Sequence, residues 1–156
     1  MDKVTQSKIA NLHPSVIKKV TDAVNEADLA LTGKAKVRIV QGLRTFAEQN
    51  VLYTKVPKVT NAKGGQSIHN YGLAIDFALL VDGKEISWDT LKDYDGDGKA
   101  DWMEVVNIFV KHGGMWGGNW KSFKDLPHIE WVHEWRPLLE KYNKKDFIKG
   151  TTFVNI

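Results

Sequence analysis

Two short segments of the sequence carry histidine and carboxylate side chains at spacings that suit metal binding. Residues 67–76 contain His69 and Asp76, and residues 125–133 contain His128 together with two acids. The chain has no cysteine, which excludes disulfide scaffolds, thiolate zinc sites and thiol nucleophiles. Any metal site must therefore use imidazoles and carboxylates as its ligands.

The first segment leads into an apolar stretch, residues 72–80, which we predict to be a strand. Alternate side chains of a strand face opposite sides. One face is continuous and apolar, and it consists of Leu73, Ile75, Phe77 and Leu79. The other face carries Asp76 beside Gly72 and Ala74, two small residues that leave open space. A lone buried carboxylate is costly without a partner. A cation is a natural partner, and His69 lies just before the strand to help bind it.

The second segment has the same alternation. If residues 128–132 form a strand, Ile129 and Trp131 face the core, while His128 and Glu130 face away from it. We therefore predict that His128 lies on the open face of the sheet.

Two acid-to-histidine pairs in this segment have equal spacing. Asp125 lies three residues before His128, close enough to reach a metal-bound water, and Glu130 lies three residues before His133. The core pattern favours the first pair, because it puts His128 on the open face. The spacing by itself leaves the second pair as an alternative, and hydrogen-bonded turn residues as another.

The two motifs resemble those of a known enzyme family. Ser-x-His-x-x-Gly-x-Ala-x-Asp from Ser67, followed by Asp-x-Pro-His-x-Glu-Trp from Asp125, is similar to zinc D-alanyl-D-alanine carboxypeptidases and L-alanyl-D-glutamate endopeptidases. That family includes bacterial enzymes that remodel the cell wall and phage endolysins. The similarity covers about residues 10–135.

The resemblance implies a role for each matching residue. It implies three zinc ligands, which are His69, Asp76 and His128. Asp125 would be the general base, where many relatives have Glu. Arg44 would be catalytic and would hold the substrate carbonyl or carboxylate, although an ordinary ion pair with Glu48 is the alternative. Ser67 would contact the substrate, with a turn or capping hydroxyl as its alternative.

Two imidazoles and one carboxylate suit zinc hydrolysis. They leave a fourth zinc position for water, and zinc lowers the pKa of that water to about 7. A general base then takes the proton during attack and passes it to the departing amine.

The resemblance implies a zinc metallopeptidase that hydrolyses the stem peptide of peptidoglycan. The bond between L-Ala and D-Glu is the expected target, as in an endolysin. A D-Ala-D-Ala carboxypeptidase or dipeptidase shares the motifs and is the alternative within the enzymes. A non-catalytic, metal-stabilised module that binds the cell wall is the alternative outside them.

A third segment, residues 93–104, has the pattern of an EF-hand calcium loop. The acids at loop positions 1, 3, 5, 9 and 12 are Asp93, Asp95, Asp97, Asp101 and Glu104. Gly96 is at position 6, and Lys99 at position 7 would offer its backbone carbonyl. Ala100 departs from the larger aliphatic residue usual at position 8. Five acids with one lysine would repel one another without a cation. We therefore expect Ca²⁺, structural or regulatory, rather than an exposed turn that binds nothing.

The remaining pattern predicts the elements that position these segments. Helices are expected from Pro14 to near Gly33, from Thr45 to before Pro57, over 102–112 and over 134–142. Short strands are expected at 37–40, 72–80, 128–132 and 152–154, with a hairpin turn at 82–83. No clear helix is expected before the acidic loop, and the Gly/Trp-rich stretch 113–123 is expected either to wall a groove or to pack in the core.

These elements indicate an α+β fold, with a small antiparallel sheet that carries the zinc site and helices that flank it. The length suits one domain, residues 1–156. The net charge is +3, and because residues 93–104 carry −4, the rest carries +7. Such a charge is compatible with an acidic wall polymer or with plain solvation. The sequence has no pattern of interleaved basic and aromatic residues of the kind that indicates nucleic-acid binding.

No stretch is long and apolar enough for a membrane span, and no signal peptide is recognisable. We therefore expect synthesis in the cytoplasm. The resemblance implies action on the bacterial cell wall, and a monomer is expected.

Overall fold

The structure, a computed structural model, describes all 156 residues. Its sheet is built around one long apolar strand that pairs along both edges. The strands are β1 (Ala35–Gln41), β2 (Ala74–Val81), β3 (Glu85–Ser87), β4 (Met115–Trp116) and β5 (His128–Glu130). All pairings are antiparallel, and the order is β1-β2-β5-β4, with β3 beside the C-terminal half of β2. The α+β class with a small antiparallel sheet is confirmed.

Five helices flank the sheet. They are α1 (Lys3–Ala10), α2 (Pro14–Ala30), α3 (Phe46–Tyr53), α4 (Asp101–Lys111) and α5 (Trp135–Asn143). Pro14 begins α2 as predicted, because its fixed φ suits the first helical turn. At α3, the Thr45 hydroxyl accepts a hydrogen bond from Glu48 N, and the Glu48 carboxylate accepts one from Thr45 N, so both halves of the predicted capping box form. None of the helices has the length and apolar character that crossing a membrane requires.

The core lies between the sheet and the helices. The face of β2 that was predicted to be apolar is fully buried, and Ile129 of β5 joins the same cluster of 25 buried residues. Phe77 of β2 packs against Trp102 of α4 with 4.5 Å between ring centroids. The apolar face thus anchors the sheet, and on the opposite face Asp76 lies between the small residues Ala74 and Ala78.

The structure differs from the predicted local structure in three places. The helix α1 was not predicted, because Lys3–Ala10 is largely polar and only Thr5 and Ile9 of it are buried. The short strand β4 was not predicted either. The strand expected at 152–154 is only a single antiparallel bridge between Phe147 and Val154, flanked by backbone hydrogen bonds from Ile148 to Phe153 and from Asn155 to Asp146.

Candidate active site

Three side chains meet on the open face of the sheet. Asp76 and His128 lie directly opposite each other on β2 and β5, and His69 comes from a short 3-10 turn, Ile68–Tyr71, just before β2. The distances are 3.2 Å from His69 Nε2 to Asp76 Oδ1, 3.1 Å from His128 Nδ1 to Asp76 Oδ1, and 3.2 Å between the two imidazole nitrogens. Tetrahedral ligands with bonds of about 2.0–2.1 Å are about 3.3 Å apart. The triangle therefore has the size of one face of a zinc coordination sphere.

The outer hydrogen bonds of the two imidazoles fit a cation at this triangle. His69 Nδ1 lies 2.8 Å from the carbonyl oxygen of Gly42, and His128 Nε2 lies 3.0 Å from Glu130 Oε2. In the neutral form of each imidazole the outer nitrogen donates to its oxygen, so the inner nitrogen presents a lone pair. These lone pairs and Asp76 Oδ1 are then three acceptors without a hydrogen between them. A metal ion satisfies all three.

Burial and charge act in opposite directions on this cluster. Burial raises the pKa of Asp76, but His69 and His128 outweigh it and hold the pKa of that carboxyl well below its usual range. Burial lowers the pKa of His128, but hydrogen bonds to Asp76 and Glu130 outweigh it and raise that pKa to about 9. The carboxylate is therefore ionised at neutral pH, and a proton competes with a metal ion at His128.

Arg44 approaches the same cluster from the segment between β1 and α3. Its Nη1 donates to Gln49 Oε1 at 2.9 Å, and its Nη2 lies 3.9 Å from Asp76 Oδ2. Gln49 is buried and donates to the Ala62 carbonyl at 2.8 Å, so α3 holds the guanidinium in place. Arg44 forms no ion pair with Glu48, whose carboxylate caps α3 instead. The helix thus presents Arg44 to the site.

Asp125 lies on the loop that leads into β5, and it is brought in by a close backbone approach. Its N–H donates to the Gly117 carbonyl at 3.2 Å, and a Cβ on Gly117 would lie 2.6 Å from the Asp125 carbonyl oxygen. Glycine is therefore needed at position 117. Burial and the charge of Asp76 raise the pKa of Asp125, although His128, His69 and Arg44 oppose this. Such a carboxylate is a better proton acceptor than an exposed one.

A cavity of about 460 Å³ opens over these groups. It is lined by the three clustered residues, by Arg44, Ser67 and Asp125, and also by Trp120 and His133. The Trp120 ring lies 5.1 Å from that of His128 and 6.3 Å from that of His133. The Gly/Trp-rich stretch therefore walls a groove at this point, which was one of its two predicted roles.

Asn70 supports the site, and sequence reasoning missed it. Its side chain donates to the carbonyls of Arg44 and Thr45 and accepts from the N–H groups of Gly65 and Ser67. It thereby ties the loop before His69 to the segment that carries Arg44. The only sequence signal for this role was the position of Asn70 directly after His69, a candidate metal ligand.

The alternative pair, Glu130 and His133, makes a different contact. His133 Nδ1 lies 2.6 Å from Glu130 Oε1, and neither residue is among the three that meet at the metal-sized triangle. His128 and Glu130 lie on the face of β5 opposite Ile129, as predicted. Both side chains are buried beside β2.

The acidic loop 93–104 is folded around its own carboxylates. Asp93 accepts from Gly96 N and Gly98 N, and Asp97 accepts from Lys99 N. The loop also docks on the turn after α2, where Asp95 Oδ2 accepts from the Thr32 N–H and hydroxyl. As expected, no helix precedes this loop.

Two carboxylate oxygens of this loop are buried without a partner. They are Asp101 Oδ2 and Glu104 Oε2, whereas Asp101 Oδ1 accepts from Tyr94 N at 2.9 Å. Burial and neighbouring acids raise the pKa of Asp101 and of Glu104. Carboxylate oxygens of Asp93, Asp95 and Asp101 lie within 4.8 Å of one another, and so do those of Asp95, Asp97 and Glu104, so each group of three could hold a cation. The loop therefore has unsatisfied negative charge directed inwards.

A family model matches part of the chain. It is a peptidase M15 model described as D-alanyl-D-alanine carboxypeptidase, and it matches residues 60–131. This range contains the metal-sized triangle and Asp125, but not Arg44.

Two individual proteins extend the comparison. The peptidoglycan L-alanyl-D-glutamate endopeptidase CwlK of Bacillus subtilis (strain 168) is 46% identical over 128 residues, a match that covers 79% of this chain and 75% of CwlK. The crystal structure of the Serratia marcescens L-Ala D-Glu endopeptidase ChiX superposes with a TM-score of 0.62 at 18% identity, and covers 85% of this chain and 89% of ChiX. The second likeness concerns the fold alone.

Proposed function

This chain belongs to the peptidase M15 family of metallopeptidases, and from that membership we propose that it is a zinc-dependent hydrolase of the peptidoglycan stem peptide. The triangle of His69 Nε2, Asp76 Oδ1 and His128 Nδ1 carries the proposal, because its edges of 3.1–3.2 Å fit three zinc ligands. When bound there, zinc supplies a Lewis acid with an open fourth position for water.

The protein groups around that position have separate tasks. Asp125 accepts the proton of the attacking water and returns it to the leaving amine. Arg44, fixed by Gln49, donates hydrogen bonds to the substrate carbonyl oxygen or carboxylate. Ser67, at the rim of the cavity, contacts the substrate.

The proposed scissile bond is the one between L-Ala and D-Glu. The 46% identity to an enzyme named for that bond supports this choice. A D-Ala-D-Ala carboxypeptidase or dipeptidase is the second candidate, and the description of the matching family model favours it.

Mass spectrometry of digested peptidoglycan tests the proposal. Zinc-loaded protein should release peptides with a new N-terminal D-Glu and leave L-Ala on the glycan, whereas chelated protein and Asp125→Asn should release neither. Release of terminal D-Ala would instead establish the carboxypeptidase. Folded, zinc-loaded protein that binds the wall without producing any fragment would be a binding module, contrary to the proposal.

We also propose a Ca²⁺ site in the loop 93–104. Side chains of Asp93, Asp95, Asp97, Asp101 and Glu104 and the backbone carbonyl of Lys99 would supply its ligands. The buried, unpartnered oxygens of Asp101 and Glu104 support the site, because a buried carboxylate oxygen without a partner is costly.

Thermal unfolding with and without Ca²⁺ checks this site. At a concentration 100 times its Kd, a ligand of the folded state adds about 2.7 kcal/mol, which raises Tm by roughly 5–10 °C in a domain of this size. Glu104→Gln should lose most of this shift, whereas Asp82→Asn, in an exposed turn, should keep it. A cleavage rate that also depends on Ca²⁺ would make the site regulatory, and a change in Tm alone would make it structural. An unchanged Tm would contradict the site.

The proposed place of action is the bacterial cell wall, where the protein would work as a single-domain monomer in the manner of an endolysin. Light scattering should give a mass near 17.6 kDa. Addition to wall suspensions should reduce their turbidity, and a stable suspension would contradict a lytic role.

A further inference from the structure

Glu130 is a buried carboxylate that lies between two imidazoles. Glu130 is only 3% exposed. One carboxylate oxygen lies 3.0 Å from His128 Nε2, and the other lies 2.6 Å from His133 Nδ1. Glu130 lies opposite Ala74 on β2, whose small side chain leaves room for the carboxylate on this face.

A buried carboxylate needs partners for both of its oxygens, because removing a charge from water costs several kcal/mol when it is unpaired. Here each oxygen has one ring nitrogen as its donor. The bond to His128 has a further effect, since in the neutral ring a hydrogen on Nε2 leaves the lone pair on Nδ1, the atom that faces Asp76 and His69. Glu130 therefore selects the form of His128 that can bind a metal.

The other imidazole lies in the groove. The side chain of His133 is 60% exposed and lines the same cavity as Asp125. Glu130 holds Nδ1, so Nε2 is left for a molecule in the cavity. The Trp120 ring lies near both imidazoles, with 5.1 Å to the centroid of His128 and 6.3 Å to that of His133.

We propose that Glu130 is a positioning residue that orients His128 towards the metal, and that it also fixes His133 as a hydrogen-bonding contact for the stem peptide. The role of His133 rests on the proposed function. The role of Glu130 depends only on metal binding and can be tested without substrate. Carboxylates that orient metal-binding histidines in this way contribute 10–100-fold to metal affinity in other proteins.

Zinc affinity, measured by chelator competition in the absence of substrate, tests Glu130. Glu130→Gln should weaken zinc binding by roughly 10–100-fold and shift the visible spectrum of the Co²⁺-loaded protein. Glu134→Gln, an exposed acid on the same segment, should change neither. Zinc affinity within twofold of the unchanged protein would overturn the positioning role.

A measurement on the unchanged protein guards against a variant that does not fold. NMR of the zinc-loaded protein should show His128 bound through Nδ1, with a slowly exchanging hydrogen on Nε2. Coordination through Nε2 would overturn the proposal whatever the variants do.

Kinetics on a soluble stem peptide test His133. His133→Ala should bind zinc normally and raise KM about tenfold with little change in kcat, because a contact to bound substrate is lost. His112→Ala, whose imidazole pairs with Glu26 away from the cavity, is the matched control. An unchanged KM would remove His133 from the substrate site, and loss of zinc would make it a ligand instead. If unchanged protein cleaves no stem peptide, the proposed function fails, while the result for Glu130 still holds.

Discussion

The two imidazoles of the metal-sized triangle present different ring nitrogens, and a different outer acceptor holds each one. His69 turns Nε2 inwards because the Gly42 carbonyl binds its Nδ1, and His128 turns Nδ1 inwards because Glu130 binds its Nε2. Single-residue changes here should therefore separate metal binding from proton transfer.

Replacement of the proposed base makes this separation visible. Asp125→Asn should retain zinc, because Asp125 is not among the three residues that meet at the metal-sized triangle. It should lower kcat by about 10²–10⁴-fold, the usual contribution of a general base. Zinc content by metal analysis and kcat on a soluble stem peptide are the measurements. If the variant loses zinc, Asp125 is a zinc ligand and not the general base.

Metal affinity should depend on pH through His128. Its pKa is raised to about 9, so below that pH the imidazole is protonated and must lose its proton to bind zinc. The apparent zinc affinity should therefore weaken about tenfold for each unit that the pH falls from 9 to 7. Asp76 adds no proton in this range, because its pKa is lowered. An affinity independent of pH in competition titrations would count against this assignment.

At the scale of single elements, β2 and α3 each position one charged residue of the site. β2 provides Asp76 in its first half, and α3 holds Arg44 through Gln49. Both elements were predictable, because the alternation of β2 and the capping box of α3 depend on residues close in sequence.

Loss of the cap should weaken α3. Thr45→Ala removes the hydroxyl that accepts from Glu48 N and should cost about 1 kcal/mol, or roughly 2–4 °C in Tm. KM should also rise, because a frayed α3 holds Arg44 less firmly. Thr54→Ala, at the other end of the helix, is the control for calorimetry and kinetics. Equal losses for both variants would show that the cap has no special role.

Contacts between distant segments were beyond prediction. Thr32 binds Asp95 across 63 residues, and even at short range Arg44 takes Gln49, five residues on, as its partner instead of Glu48, four residues on. Residue types and spacing do not decide among such partners, because the choice depends on where the chain folds back. The choice of His128 as a partner of Asp76 was predicted from the alternation of residues 128–132 and from the resemblance, but the strand register that sets the two residues opposite each other is seen only in the structure.

At the scale of the whole molecule, the charge is unevenly distributed. Residues 93–104 carry −4 in a chain of net charge +3. Lys58 and Lys121 line two adjoining cavities that share Trp120 with the groove. The positive net charge outside the acidic loop attracts polyanions over about 10 Å at 0.1 M salt.

Salt should therefore slow the digestion of intact wall more than that of a small peptide. Between 0.05 and 0.5 M NaCl, the rate on purified wall should fall several-fold, because screening shortens the range of attraction. The rate on a short soluble stem peptide should stay within twofold. Parallel assays on the two substrates measure this, and equal falls would argue that the surface charge has no part in wall binding.

The pairing of Asp76 with His128 across β2 and β5 has a consequence for protein engineering. Some fifty residues, including the acidic loop and α4, lie between these two partners in the chain, yet the partners are adjacent in the sheet. The site geometry depends on strand register and not on the length of the intervening segment. The exposed stretch around Asp89 and Leu91 is therefore a suitable place to insert a reporter peptide or sensor domain.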